Sequence, residues 1–203
     1  NQINMAKKII IGNWKMNPKT VKEALSISKK IQIGSKNKKN VTVVIAPPYP
    51  YIEILPKGIY RGAQDLFFED EGAYTGEVSA PMLKSIGVKY VIVGHSERRA
   101  SGETTENINK KIKSLLKSGI TPILCSGELE RDNHSEYLHK IKEDIKDCLK
   151  GVSKESVSKI IIAYEPVWAV GKKAVGVLDG EEALHMNIFI RKVVSDISDS
   201  LSA

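Results

Sequence analysis

Cysteine is scarce in this sequence: two residues, Cys125 and Cys148, among 203. One bridge at most could form, which excludes a disulfide scaffold and predicts a reducing, intracellular (cytoplasmic) setting. Long apolar runs are missing as well. No stretch of about 18 apolar residues occurs, so no membrane-spanning helix or membrane partner is expected. The opening residues Asn1-Gln2-Ile3-Asn4-Met5-Ala6-Lys7-Lys8 lack the apolar segment of a secretory signal. Metal-ligand spacing is also missing. His134, His139 and His185 are scattered, and no His-x-x-x-His or Cys-x-x-Cys pair occurs, so no metal site is expected. No Gly-x-Gly-x-x-Gly follows the first apolar run. Ile11-Gly12-Asn13-Trp14-Lys15 stands there instead, which counts against dinucleotide binding.

Thirty-one basic against 24 acidic residues give a formal charge of +7. The lysines are scattered, so the excess reads as a solvated surface and not as a nucleic-acid footprint. Hydrophobic residues make up 41%, enough for a core.

What the chain does have is an alternation. Short β-branched runs recur at Lys8–Ile11, Val41–Ile45, Gly58–Tyr60, Tyr90–Val93, Thr121–Leu124 and Lys159–Ile162. They are nearly continuously apolar, which predicts strands buried on both faces of a parallel sheet. Between them, apolar residues repeat at helical spacing. One set is Val21, Ala24, Leu25, Ile27 and Ile31. Others are Ile108, Ile112, Leu115 and Leu116, and Leu138, Ile141, Ile145 and Leu149. The last set runs Ala183, Leu184, Ile188, Ile190, Val193, Val194 and Ile197. Gly119 is placed to stop one of these helices. Repeated strand–helix units predict an α/β fold, either an open sheet or a barrel, with functional groups at the C-terminal strand ends.

Three strand ends carry chemistry. The first is Gly12-Asn13-Trp14-Lys15-Met16-Asn17, where alternation puts Asn13 and Lys15 on one face. Lys15 can meet an anionic substrate there, or be an ordinary surface lysine. The fourth is Val93-Gly94-His95-Ser96-Glu97-Arg98-Arg99. Alternation puts His95 on the face of Val91 and Val93, and Ser96 can cap the next turn. The helix N-terminus disfavours a protonated His95, leaving a neutral donor; the alternative is a core histidine bonded to backbone. The sixth is Ala163-Tyr164-Glu165-Pro166-Val167-Trp168-Ala169-Val170-Gly171. Pro166 keeps Glu165 extended, and a desolvated carboxylate there can act as a general base. A pairing of Glu165 with an arginine such as Arg98 is the alternative. Cys125 has no local activating base and reads as structural.

Taken together, these three motifs closely resemble the triosephosphate isomerase family. Ala63-Gln64-Asp65 and Gly72-Ala73-Tyr74-Thr75-Gly76-Glu77-Val78-Ser79 resemble it too. The resemblance runs in order from about Lys7 to the end. It implies a TIM (β/α)8 barrel of which this chain carries about the first six βα units. Residues 1–203 would form a single incomplete barrel domain, with residues 1–4 as an extension. The implied reaction, part of glycolysis and gluconeogenesis, interconverts dihydroxyacetone phosphate and D-glyceraldehyde 3-phosphate through an enediolate. The implied roles are Glu165 as carbon base, neutral His95 as electrophile, Lys15 beside the anionic substrate and Asn13 as an orienting group. Gly171 would offer a backbone N–H to phosphate, and Ser96 and Glu97 would support the site from behind. The segment around Thr75 would enter the neighbouring subunit of a homodimer. The resemblance implies no cofactor.

The pattern departs from the family in places. The lid reads Gly171-Lys172-Lys173-Ala174-Val175-Gly176 in place of the usual Gly-Thr-Gly-Lys, and Asp65 replaces an asparagine. The family runs to about 250 residues. The loops after strands seven and eight, with most phosphate-binding N–H groups, are expected to lie beyond Ala203. A non-catalytic barrel homologue or truncated product is therefore the alternative reading.

Overall fold

The computed structural model describes residues 8–38, 40–132, 134–171 and 174–200. The expected N-terminal extension, residues 1–4, and the lid lysines Lys172 and Lys173 lie outside the described residues. Contacts divide the chain into two compact units, Asn1–Ile92 with Lys117–Ile120, and Val93–Leu116 with Thr121–Ala203.

The first unit carries β1 (Lys8–Asn13), β2 (Val41–Ala46), β3 (Tyr60–Ala63) and all but the last residue of β4 (Val88–Val93). These strands are parallel and neighbour one another in chain order. Lys8 pairs with Val41 and Asn13 with Ala46, so the C-terminal ends of β1 and β2 are level. Helix α1 (Val21–Ser35) follows β1, a 3-10 turn at Tyr49–Tyr51 follows β2, and α2 (Ala80–Ser85) precedes β4. Thr20 starts α1 by accepting the Glu23 N–H at 3.2 Å while its hydroxyl donates to the Glu23 carboxylate at 3.0 Å. The first of these bonds satisfies one of the donors that a helix start leaves orphaned. Ile45, Leu55 and Ile59 form a core cluster over which Trp14, Ile31 and Val43 pack.

The second unit carries α3 (Ser96–Ala100), most of α4 (Thr105–Ser118), β5 (Thr121–Ser126), α5 (Glu136–Cys148), α6 (Lys154–Val157), β6 (Ile161–Tyr164) and α7 (Gly180–Ser200). β5 and β6 pair in parallel, Ile123 opposite Ile161 through Ser126 opposite Tyr164. Ile108, Ile112 and Leu115 of α4 are fully buried, as are Ile141 and Ile145 of α5, and Met186, Ile190 and Val193 of α7 are buried. Helix α4 ends at Gly119, whose φ of 71° is the left-handed stop that glycine supplies without strain. Six strands in chain order, five of them followed by an α-helix and β2 by the 3-10 turn, match the order of the first six βα units of a TIM barrel.

Three expectations need correction. β1 is not buried on both faces: Ile9 and Ile10 are exposed, because β1 has β2 as its one bonded neighbour among the described strands. The helical stripes are narrower than their periodicity implied. Val21, Leu25 and Ile27 of α1 and Leu184 and Ile188 of α7 are exposed, while Ala24 and Ser28 face inward. β3 begins at Tyr60 and not at Gly58: Gly58 has a φ of 91° and Ile59 turns into the core cluster, so pairing starts after them.

Candidate active site

In the second unit the chain leaves β4 through Gly94. Its φ of 68° bends the backbone sharply, and a Cβ there would meet Arg99 at 3.0 Å and Ile108 at 3.1 Å. The bend ends strand alternation, so His95 does not continue the face of Val91 and Val93 as expected. It becomes the N-cap of α3 instead. Its Nδ1 accepts the Glu97 N–H at 3.2 Å. An accepting Nδ1 carries no hydrogen, so the ring hydrogen of the neutral imidazole resides on Nε2. The expected cap, Ser96, does something else: its N–H and its hydroxyl both donate to Glu165, at 3.1 and 3.0 Å. The same Glu165 oxygen that takes the hydroxyl lies 3.2 Å from His95 Nε2. Both side chains are nearly enclosed, His95 11% and Glu165 14% exposed. The carboxylate thus rests among three donors from one corner, and this corner replaces the pairing with Arg98 considered above.

Arg99 locks the corner. It donates to the Gly94 carbonyl at 2.7 Å and the Cys125 carbonyl at 3.1 Å, and forks onto Asp144 at 2.8 and 3.0 Å. Glu165 is held by its own backbone as well, its N–H donating to Ser126 O at 3.0 Å. Beside it, Gly127 lies so close that a Cβ would sit 2.0 Å from the Glu165 carbonyl oxygen. A cavity of about 300 Å³ opens against Ser96, Cys125, Gly127, Glu165 and Val167. Cys125 is a buried free thiol, pushed up to about 12 by burial and then by the charge of Glu165. It is no nucleophile at neutral pH, in line with its reading as structural.

The segment after Glu165 is anchored by a cluster that sequence reasoning missed. Buried Glu128 accepts the Tyr164 hydroxyl at 2.8 Å, the Trp168 indole N–H at 2.8 Å and Arg131 Nε at 3.1 Å. Burial pushes the Tyr164 hydroxyl above its usual range, Arg131 opposing and Glu128 reinforcing the shift. The available signal was a glutamate three residues before an arginine in the loop after β5, a pattern too common to single out.

Within the first unit, Asn13 and Lys15 come together, though not by strand alternation. Lys15 has a φ of 53°, left-handed and unusual for a residue with a side chain. Its N–H donates to Asn13 Oδ1 at 2.9 Å, and its carbonyl accepts from Gln64 Nε2 at 2.8 Å. The same Gln64 amide also reaches Ala46 O at 2.9 Å. Two side chains therefore hold the strained lysine corner. Thr75 is exposed in a loop beside Phe67, which stacks on Phe68 and meets Tyr74 at a tilt, with ring centroids 4.4 and 4.6 Å apart. In the second unit, Gly171 is exposed with a φ of 78°, its carbonyl accepting the Ala174 N–H at 3.3 Å. Glu97 contributes its N–H to His95, while its own carboxylate is largely exposed.

Residues 8–202 match the family model described as triosephosphate isomerase. The chain is 43% identical over 203 residues to a protein of that name from Dictyoglomus thermophilum, covering 97% of this chain and 80% of the relative. It is 43% identical over 200 residues to the Clostridium botulinum Langeland protein of that name, covering 95% and 79%. The Alkaliphilus oremlandii counterpart is 41% identical over 199 residues, again covering 95% and 79%.

Proposed function

The chain belongs to the triosephosphate isomerase family, and on that premise we propose that it interconverts dihydroxyacetone phosphate and D-glyceraldehyde 3-phosphate through the residues described above. The observation that carries the assignment is the His95–Glu165 pair, a carboxylate 3.2 Å from an imidazole whose Nδ1 is committed to backbone. A carboxylate can take a carbon-bound proton next to a carbonyl. An Nε2–H can donate to the carbonyl oxygen on which the electrons collect. As the C–H pair becomes the C–C double bond of an enediolate, His95 moves protons between its two oxygens. Glu165 returns the proton to the neighbouring carbon, so nothing is gained or lost. In the resting arrangement Glu165 is occupied by Ser96 and His95, so the side chain turns from these donors towards substrate before it acts. The first unit supplies a cation at Lys15, in a backbone corner fixed by Asn13 and Gln64. Its charge compensates the phosphorylated substrate and the enediolate. Gly171 contributes a backbone N–H to the phosphate when the lid closes. Closure excludes water from a charged intermediate. The protein acts as a homodimer joined through the Thr75 loop, in the cytoplasm, where its two free thiols stay reduced.

The test is Glu165→Asp, assayed by coupled isomerase turnover in both directions. The substitution withdraws the carboxylate by one methylene, about 1 Å, so kcat falls on the order of 100-fold while KM stays close to that of the parent. Turnover that is unchanged in this variant would refute the base assignment.

A further inference from the structure

One side chain that the proposed chemistry does not use makes an unusual set of contacts. Arg131, in the loop after β5, donates to Glu128 at 3.1 Å and to Glu182 at 2.7 Å, and reaches the Tyr164 hydroxyl at 3.4 Å. Its guanidinium carbon also lies 4.9 Å from the centre of the Trp168 ring and 5.5 Å from that of Tyr137. Two of these partners bracket the lid. Trp168 sits in the 3-10 turn where the lid begins. Glu182 sits in the first turn of α7, three residues after Asp179, which starts that helix by accepting the Glu182 N–H at 2.8 Å. The lid's own ends are close as well, since the Val175 N–H donates to Trp168 O at 2.8 Å.

We propose that Arg131 is a positioning residue for the lid, one guanidinium that fixes the Trp168 ring at the lid's start and the head of α7 beyond its end to the buried carboxylate Glu128. The indole is thereby held in two directions. Its edge donates to Glu128 at 2.8 Å, and its face is covered by the cation. A planar guanidinium can stack on a ring and still donate in its own plane, which an ammonium cannot. Arg131 is 24% exposed, so its cation–π contact is partly desolvated and stronger than a surface one. Loss of the guanidinium leaves Trp168 with its single bond to Glu128 and detaches the α7 head. The lid then keeps its sequence but loses its fixed hinge.

The inference rests on the isomerase reading for its kinetic consequence but not for its structural one, and two readouts separate them. The first is Trp168 emission in the full chain with Trp14→Phe as background. Arg131→Met, which keeps the aliphatic stem, should shift that emission to the red and raise its quenching by acrylamide. Arg131→Lys should do the same to a smaller degree. The second readout is product partition. When the lid fails, the enediolate expels phosphate with its bonding pair, and the enol left behind gains a proton on carbon and loses its hydroxyl proton to give methylglyoxal. Inorganic phosphate formed per isomerisation should rise about tenfold in Arg131→Met, with kcat reduced by a similar factor and KM changed less. A merely structural arginine would lower the melting temperature without moving this ratio. Unchanged Trp168 emission and an unchanged phosphate ratio in folded Arg131→Met would overturn the proposal. Should that variant not fold, Glu182→Gln weakens the α7 end of the clamp alone: the phosphate ratio should rise while Trp168 emission stays, and an unchanged ratio would overturn the proposal. If the parent chain turns over no triose phosphate, the isomerase reading falls, and the emission readout still decides the clamp.

Discussion

Replacing Gly127 by alanine tests the proposed base without touching it. The added Cβ would lie 2.0 Å from the Glu165 carbonyl oxygen, 2.5 Å from its carbon and 3.1 Å from Pro166 N. Carbon and oxygen do not approach within 3.0 Å in real side chains, so the backbone at Glu165 must retreat by about 1 Å. All three atoms are backbone, so no flexible side chain can give way. Two hydrogen bonds straddle the site, Glu165 N to Ser126 O at 3.0 Å and Val167 N to Glu128 O at 2.9 Å, and the retreat stretches both. Overpacking of this kind costs roughly 1–3 kcal/mol. A shift of the carboxylate by about 1 Å costs on the order of 100-fold in turnover. The assay is coupled isomerase kinetics beside a thermal melt. The expected result is a folded protein that melts a few degrees lower, with kcat down by two orders of magnitude and KM little altered. A Gly127→Ala variant whose kcat lies within about threefold of the parent would refute the claim that this contact fixes the base.

Gln64→Ala should leave the Lys15 and Ala46 carbonyls without their shared donor. A left-handed lysine costs about 1–3 kcal/mol to hold, so KM for triose phosphate should rise several-fold as the corner relaxes. His95 should show a protonated Nε2 and a bare Nδ1 by nitrogen NMR near neutral pH; the opposite tautomer would remove it as the electrophile. The two cysteines set an alkaline limit on stability. Burial pushes both thiols from 9.0 to about 12, while unfolded thiols ionise near the ordinary value. Between these values the unfolded chain binds fewer protons than the native one, so stability falls as pH rises. The slope is about 1.4 kcal/mol per pH unit for each thiol. Urea midpoints at pH 8 and pH 10.5, compared with a Cys125→Ala, Cys148→Ala variant, check this. A slope undiminished in the double variant would contradict it, the buried Tyr164 hydroxyl accounting for a smaller one that remains.

Much of the architecture was legible from periodicity alone. Ile108, Ile112 and Leu115, or Ile141 and Ile145, announce a buried helical face because one helix packs against one core. What periodicity could not reveal was where it stops. Gly94 and Lys15 both enter the left-handed region, and from there strand alternation says nothing about direction. His95 was thus expected on a strand face and is found capping a helix. Ser96 looked like the cap because serine is a common one, yet its hydroxyl faces a carboxylate 69 positions further along the chain. That partner is set by tertiary packing, which no local pattern encodes. The Glu128–Arg131–Trp168 cluster was missed for the same reason: its members are ordinary residues until the chain brings them together. The exposed side of β1 was misjudged because an apolar strand reads alike whether one or two neighbours cover it.

The resting contact of Glu165 with Ser96 sets stability against activity. In that position the carboxylate accepts the Ser96 N–H at the start of α3, at 3.1 Å, and so supports the fold as a helix cap does. Such caps contribute about 0.5–2 kcal/mol. With Glu165 as the proposed base, every turnover gives that contribution up, because the group that steadies the helix would also be the one that reaches for the substrate. Selection for a more stable protein and selection for a faster one therefore pull on the same bond in opposite directions. Substitutions that loosen Ser96 would sharpen the base and soften the fold, and those that tighten it would do the reverse.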